Sequence, residues 1–265
     1  MNNFFKLKDK IILLTGASGF IGKNILKTLI SEKCKIVLIL RNKQSLKKIN
    51  NFIYKKNIEI FYANLNYEKE LDIALRQIKK RYSKIDGIIN LASDNSGLGS
   101  AKYKDGFNKF TKAFNNNLFA PFKIILELKN QLKRKKTIFN CASVINISSI
   151  YGCLSPDQNI YKKKEFVNPI DYGSAKASQI HLSKYLANDN DFKKIRFNNI
   201  ILGPIPNQNK NFKNQIYKKE LIKKIPLGRL GVPDDVTGII LLLLSSKSSF
   251  INGSSIYVDG GWSSH

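Results

Sequence analysis

The chain of 265 residues and 30.1 kDa is 43% apolar and 24% charged, with a mean hydropathy of −0.24, which excludes wholesale disorder and suits one globular α/β domain spanning residues 1–265. Its 45 Lys and Arg against 19 Asp and Glu leave a net charge of +26, but the cations are scattered from Lys6 to Lys247 rather than gathered beside aromatics, so no nucleic-acid partner is expected. Three cysteines (Cys34, Cys141, Cys153) supply neither a disulfide framework nor metal-ligand spacing. Met1-Asn-Asn-Phe-Phe5 lacks a signal-peptide pattern, and the apolar run Gly238–Leu244 is too short for a bilayer; these features point to a cytoplasmic protein without metal or membrane contact.

In chain order, Lys10–Leu14 is a short apolar run that reads as a buried strand, and Asn24–Lys33 reads as a helix. Further strands are expected at Lys35–Leu40, Ile58–Tyr62 and Gly87–Leu91. Glu68–Arg81 keeps Leu71, Leu75 and Ile78 at helical spacing, and a long helix is expected around Ala113–Lys135. Then come a strand at Val144–Ile147, a helix at Asp171–Asn188, a strand at Ile195–Ile201, a helix opened by Pro233-Asp-Asp235, and a last strand near Ser255–Val258. Lys133–Lys136 and Lys162–Lys164 read as a solvated helix end and a solvated loop. Alternating strands and helices imply right-handed βαβ units: an α/β fold with a doubly wound parallel sheet of about seven strands, helices on both faces, and a ligand crevice beyond the strands' carboxyl ends.

Thr15-Gly-Ala-Ser-Gly-Phe-Ile-Gly22 lies between the first strand and the first helix. Glycines at 16, 19 and 22 let the backbone approach a pyrophosphate, and the helix start offers unpaired N–H groups to the same anion. After the second strand, Leu40-Arg41-Asn42 lacks the carboxylate that would accept a ribose 2′-OH. Arg41, assisted by Lys43, suits a 2′-phosphate instead, so NADP(H) is favoured over NAD(H). Tyr172-Gly-Ser-Ala-Lys176 puts a phenol and an ammonium on one helix face. A phenol with a pKa near ~10 is a poor base at neutral pH, and the sequence reading expects the nearby ammonium to lower that value. Ser149, at the end of Asn146-Ile-Ser-Ser149, is placed to donate a hydrogen bond to a reacting oxygen. His181 reads as a packing or surface residue.

Together these segments resemble the short-chain dehydrogenase/reductases over essentially the whole chain. The resemblance rests on Thr15–Gly22, Asn90-Leu-Ala92, Asn117, Asn146–Ser149, Tyr172-x-x-x-Lys176, Pro226-Leu-Gly-Arg-Leu-Gly231 through Asp235, and Ile251-Asn-Gly253 through Val258-Asp-Gly-Gly261. It implies a Rossmann fold and assigns general acid/base chemistry to Tyr172, ribose binding and phenol tuning to Lys176, substrate positioning to Ser149, and a relay-water anchor to Asn117. It also implies cofactor contacts from Gly16, Ser18, Gly19, Phe20, Ile21, Gly22, Arg41, Asn64, Leu65, Asn90, Ala92, Gly203 and Ile205, besides Tyr172 and Lys176. A homodimer or homotetramer packed through Ala113–Lys135 and Asp171–Asn188 follows from the same likeness.

Departures from the family pattern are visible. The glycine spacing is similar to that of the extended branch of the family, whereas the length and Val258–Gly261 match the compact branch. The usual Asn-Asn-Ala-Gly stands as Asn90-Leu-Ala-Ser93, the Asp after the third strand as Asn64, Pro-Gly as Leu202-Gly203-Pro204, and the following Thr as Asn207. Ser149 and Tyr172 lie 23 positions apart, separated by a basic, tyrosine-bearing insertion at 153–170 that suits a polar substrate. That segment, with Ser148–Gly152 and Tyr172–Leu186, resembles the short-chain oxidoreductases of flagellin-modification and nonulosonic-acid clusters. The expected activity is therefore alcohol/carbonyl interconversion on a sugar, sugar phosphate or nucleotide sugar in surface-glycan synthesis. The competing readings are a 3-oxoacyl-carrier-protein reductase and, in another class, a non-catalytic dinucleotide sensor or nucleic-acid-binding protein.

Overall fold

Runs of Ile, Leu and Val too short for helices form seven parallel strands, because β-branched side chains stack well on a pleated surface covered on both faces. The computed structural model describes residues 4–53, 57–93, 106–133, 137, 140–160, 168–207 and 215–264. The strands are β1 (Ile11–Thr15), β2 (Lys35–Leu40), β3 (Ile58–Tyr62), β4 (Gly87–Asn90), β5 (Ala142–Ser149), β6 (Ile195–Leu202) and β7 (Ser255–Val258). They pair in the order β3-β2-β1-β4-β5-β6-β7, all parallel. Strand order reverses between β1 and β4, which opens a crevice at their carboxyl ends.

The helices are α1 (Phe20–Ser31), α2 (Lys43–Lys47), α3 (Asn50–Ile53), α4 (Glu68–Arg81), α5 (Gly106–Phe114), α6 (Ala120–Glu127), α7 (Lys129–Lys133), α8 (Ile170–Asn188), α9 (Gln215–Lys223) and α10 (Thr237–Leu244). Alternation along each strand sends side chains to two cores. Ile12, Leu14, Ile145 and Ile200 pack with Ile25 and Leu29 of α1 and Ile240 and Leu243 of α10. Leu13, Ile88, Val144 and Phe197 pack on the other face with Leu71 and Leu75 of α4, Ile124 of α6 and Leu186 of α8.

Lys35–Leu40, Ile58–Tyr62, Glu68–Arg81 and Ser255–Val258 form with the expected bounds, and the other four strands shift by one or two residues at one or both ends. Three expectations change more. The first helix starts at Phe20, not Asn24, because Gly19 is its extended N-cap (φ −74°, ψ 172°) and the glycine turn feeds directly into it. The helix expected from Ala113 begins at Gly106, widens into a π turn at Asn115–Phe119 and breaks before α7; the basic residues 134–136 lie outside the described ones. The short helices α2, α3 and α9 were not expected: α2 and α9 are lysine-rich, and α3, Asn50-Asn-Phe-Ile53, is too short to show an apolar period.

The insertion is described at 153–160 and 168–170; Lys162–Lys164 fall outside the described residues. Its described part is anchored. Ile160 is buried with Leu221, Ile225, Leu230 and Trp262, and Asp157 pairs with Lys224 just past α9 at 2.5 Å.

At the height where β1 and β4 end, the α8-facing side of the sheet turns polar. Thr15, Asn90, Asn146, Asn199 and Ser255 sit opposite one another across five strands. Asn90 donates to Asn146 at 2.8 Å, Asn146 donates to Ser183 of α8 at 2.8 Å, and the Ser183 hydroxyl donates to Asn199 at 2.7 Å. Asn199 in turn lies 3.3 Å from the Ser255 hydroxyl. This row pins α8 to the sheet at one height. Replacing Asn146 with Ala strands the Asn90 amide and one Ser183 lone pair in a dry interior, so we expect a loss of about 2–3 kcal/mol in equilibrium denaturation.

Candidate active site

The first turn is shaped by what glycine omits. Gly16 has φ +75°, and a Cβ there would lie 2.7 Å from the Ala92 backbone nitrogen; a Cβ on Gly22 would lie 2.1 Å from the Gly16 carbonyl oxygen. The backbone of α1 therefore approaches the turn more closely than any side chain allows. Gly19 N–H donates to Gly16 O at 3.0 Å, and Gly19 and Phe20 are exposed at the start of α1, with Ser18 and Ile21 half-buried beside them. Thr15 Oγ1 accepts from the N–H groups of Leu91 and Ala92 at 3.2 and 3.1 Å, which ties the glycine turn to the end of β4. Asn90 is buried, and its Oδ1 has no hydrogen-bond partner among the described residues.

Arg41 is exposed immediately beyond the carboxyl end of β2, and Asn42 caps α2 by accepting from the Ser45 N–H at 2.9 Å. Beyond β3, the Asn64 N–H donates to Glu70 and its Oδ1 accepts from the Asn66 N–H at 3.2 Å, so that oxygen closes a local turn. Leu65 sends its side chain against the α4 core. Beyond β6, Gly203 lies against Asp259, where a Cβ would come within 2.6 Å of Asp259 Cα, and Ile205 packs on Gly231. A cavity of about 500 Å³ opens beside these residues, walled also by Leu227, Arg229 and Tyr257; Arg229 is held there by a double hydrogen bond to Asp235 at 2.7 and 2.8 Å.

The sheet end and α8 bring Ser149, Tyr172 and Lys176 together. Ser149 closes β5, and its Oγ accepts from the Tyr151 N–H at 3.2 Å. Lys176 is buried with its ammonium 5.8 Å from the Tyr172 ring centroid, and it donates to the Ile147 carbonyl at 2.6 Å and to Gln179 Oε1 at 3.5 Å. Ser148 Oγ donates to the Lys176 carbonyl at 3.1 Å, and Gly152 packs so closely on Lys176 and Ala177 that a Cβ would not fit. The electrostatics correct the sequence-based expectation. Burial pushes the Tyr172 phenol up, the Ser149 side chain opposes that, and the lysine makes no resolved contribution. Burial also drives Lys176 down to about 7, so near neutral pH the ammonium is only marginally protonated.

The π turn resolves the three adjacent asparagines. Asn115 and Asn116 donate to Asn66, whereas Asn117 is fully buried, donates to the Ala113 carbonyl at 2.8 Å and leaves its Oδ1 without a partner among the described residues. A π turn inserts one extra residue into the helix, which turns this side chain inward where an α-helix would rotate it away. His181 is exposed, and among the described residues no cluster of His, Cys, Asp and Glu is arranged to hold a metal.

Sequence reasoning missed Thr15, Gln179, Ser183 and Asn199. A signal for two of them was present: Tyr172, Lys176, Gln179 and Ser183 recur at helical spacing, a polar stripe on the face of α8 that packs against the sheet.

A family profile described as enoyl-(acyl carrier protein) reductase matches residues 16–263. The post-translational flagellin modification protein A of Campylobacter coli is 28% identical over 97% of this chain and 99% of its own. A 3-oxoacyl-[acyl-carrier-protein] reductase of Rickettsia conorii is 30% identical over 96% of this chain and 97% of its own. Among solved structures, a short-chain dehydrogenase from Leptospira borgpetersenii with bound NAD+ superposes with a TM-score of 0.83 at 26% identity, covering 99% of this chain and 96% of that one.

The depressed lysine carries a stability signature. Below about pH 7 Lys176 is charged in both folded and unfolded chains, and the whole burial penalty is felt. Between about 7 and the ordinary lysine value of 10.5 the unfolded chain binds the extra proton, so stability contributed at this site rises with pH. Lys176→Met should therefore be stabilised relative to the parent chain most at pH 6, and that advantage should shrink towards pH 10 in paired thermal melts.

Proposed function

The chain belongs to the short-chain dehydrogenase/reductase family of NAD(P)-dependent oxidoreductases, and on that premise we propose that Tyr172, Lys176, Ser149 and Asn117 interconvert an alcohol and a carbonyl on a polar small molecule. The observation that carries this reading is the convergence of Ser149, the Tyr172 phenol and the buried Lys176 ammonium at the carboxyl end of β5. The residues fit a nicotinamide dinucleotide: the Gly16/Gly22 cradle has no room for side chains, the start of α1 is open, and two buried amide oxygens, of Asn90 and Asn117, meet no donor among the described residues. Such a cofactor, when bound, supplies or accepts the hydride. Glycines 16, 19 and 22 with Ser18, Phe20 and Ile21 would hold its pyrophosphate, Asn64, Leu65, Asn90 and Ala92 its adenosine side, and Gly203 and Ile205 its amide end.

Tyr172 holds the proton that the substrate oxygen takes up or releases. Burial keeps the phenol protonated at neutral pH, which favours donation to a carbonyl, and the Ser149 hydroxyl orients the same oxygen. Lys176 would bind the cofactor ribose with the ammonium hydrogen that Ile147 and Gln179 leave over, and the Asn117 Oδ1 would receive a water from the interior side. Arg41, exposed at the end of β2 with no carboxylate beside it in sequence, supports NADP(H) over NAD(H).

For the substrate we favour a sugar, sugar phosphate or nucleotide sugar used in surface-glycan synthesis. Support comes from the flagellin-modification relative and from the described part of the insertion, where Asp157 and Ile160 are anchored beside α9. A second reading, reduction of a 3-oxoacyl thioester on an acidic carrier, is supported by the Rickettsia relative and the net charge of +26. A homodimer or homotetramer through α5–α6 and α8 would cover Phe119, Leu126 and Tyr185, which are exposed on those helices. Cys34, Cys141 and Cys153 are in no disulfide among the described residues, which suits a reducing cytoplasm.

Tyr172→Phe should lower kcat by about 10²–10⁴ while calorimetry finds unchanged cofactor binding; full turnover by this variant would refute the assignment. Arg41→Ser should weaken NADPH about tenfold and spare NADH, and equal affinity of the parent chain for both would overturn the NADP(H) preference. Oxidation of cofactor with nucleotide sugars or sugar phosphates, against acetoacetyl thioesters, separates the two substrate readings.

A further inference from the structure

Gln179 lies one turn beyond Lys176 on the sheet-facing side of α8 and is almost completely buried. An apolar residue would pack there at no desolvation cost, so an amide needs a polar reason. Its Oε1 stands 3.5 Å from the Lys176 ammonium, and its backbone carbonyl lies 3.2 Å from the Ser183 hydroxyl. Resting on the functional reading above, we propose that Gln179 is a positioning residue for Lys176, using one of the three ammonium hydrogens so that, with Ile147 using another, the third is aimed and the charged form is retained.

The geometry supports this division of labour. An ammonium has three donors and no acceptor, and among the described residues it meets two acceptors, the Ile147 carbonyl of β5 and the Gln179 amide of α8. The titratable and charged groups on the elements around it are few. α8 itself brings Asp171, Tyr172, His181, Lys184 and Tyr185; the turn after β5 brings Tyr151; α5 brings Lys109 and Lys112; β6 brings Arg196, whose guanidinium is tied to the Leu243 and Ser245 carbonyls. The π turn contributes only neutral asparagines. Burial pushes Lys176 towards its neutral form, with no resolved contribution from these charges. In that setting a neutral acceptor in contact with the ammonium is the remaining side-chain means of keeping it protonated, and hydrogen bonds to charged groups are the stronger kind. Ser183, whose single hydroxyl hydrogen goes to Asn199 at 2.7 Å, joins α8 one turn beyond Gln179 to the Asn146–Asn199 row, so the helix that carries the acceptor is fixed to the same framework as the sheet.

The test uses the full chain labelled with [13Cε]lysine and titrated by NMR, with the Lys176 resonance assigned by its absence in Lys176→Met. In Gln179→Leu, which keeps the volume and removes the acceptor, the Lys176 midpoint should fall by about one pH unit. In Gln179→Glu it should rise above that of the parent chain. Opposite shifts support the proposal; coincident midpoints in all three proteins overturn it, whatever their melting temperatures. If Gln179→Leu does not fold, Gln179→Glu decides alone, an unmoved midpoint again overturning the proposal. These readouts need no substrate, so a failure of the catalytic assignment, seen as full turnover by Tyr172→Phe, is told apart from a failure of this one.

Discussion

The structure depends on a transverse line of buried amides and hydroxyls that clamps α8 to the sheet. Below that line the facing surfaces are Leu13, Ile88, Val144 and Phe197, held by non-directional apolar contact. At the line itself, Asn90, Asn146, Ser183 and Asn199 bond in sequence, and hydrogen bonds specify direction and height where apolar packing does not. One turn above Ser183 on the same helix come Gln179 and Lys176, then Tyr172. The position of the phenol relative to Ser149 is therefore inherited from a network that itself touches no reacting atom.

Burial is the second governing influence, and it acts on both ionisable groups in the same sense, towards neutrality. The phenol is kept protonated and the lysine is brought close to losing its proton. A charge in that position survives only by its hydrogen bonds, which explains why the Ile147 carbonyl sits at 2.6 Å from the ammonium and why a glutamine occupies an otherwise core position. The effect of Lys176 on Tyr172 thus depends first on whether Lys176 is charged at all, a condition that motif spacing does not reveal.

The rim of the site is built differently from its floor. Ile150, Ile160, Ile180, Leu221, Ile225, Leu230 and Trp262 form a third apolar cluster that joins the turn after β5, the described part of the insertion, α9 and the chain after β7. Asp157 and Lys224 add an ion pair between insertion and α9, and the Lys224 hydrogen bond holds the Asp157 carboxyl below the usual carboxylate range. Segments far apart in sequence thereby share one small core, so a change in the insertion is felt at α9.

Much of this was legible in the amino-acid order. Alternating apolar runs and helical periods placed the strands and the larger helices, since burial on two faces demands Ile, Leu and Val, and α4 keeps its apolar stripe in plain view. The glycine turn, Ser149, Tyr172 and Lys176 were found because each is a local pattern with a chemical reason. The start of α1 and the π turn were not, because they depend on hydrogen bonds that only the folded backbone makes. Asn90, Asn146 and Asn199 each read alone as a polar residue in or beside a strand; only strand register sets them opposite one another, and only the docking of α8 supplies Ser183 between them. The sequence by itself determined which groups are available and the strand–helix alternation that carries them. Tertiary structure decided their protonation and their partners, because desolvation and hydrogen bonding are properties of what surrounds a side chain and not of its neighbours along the chain.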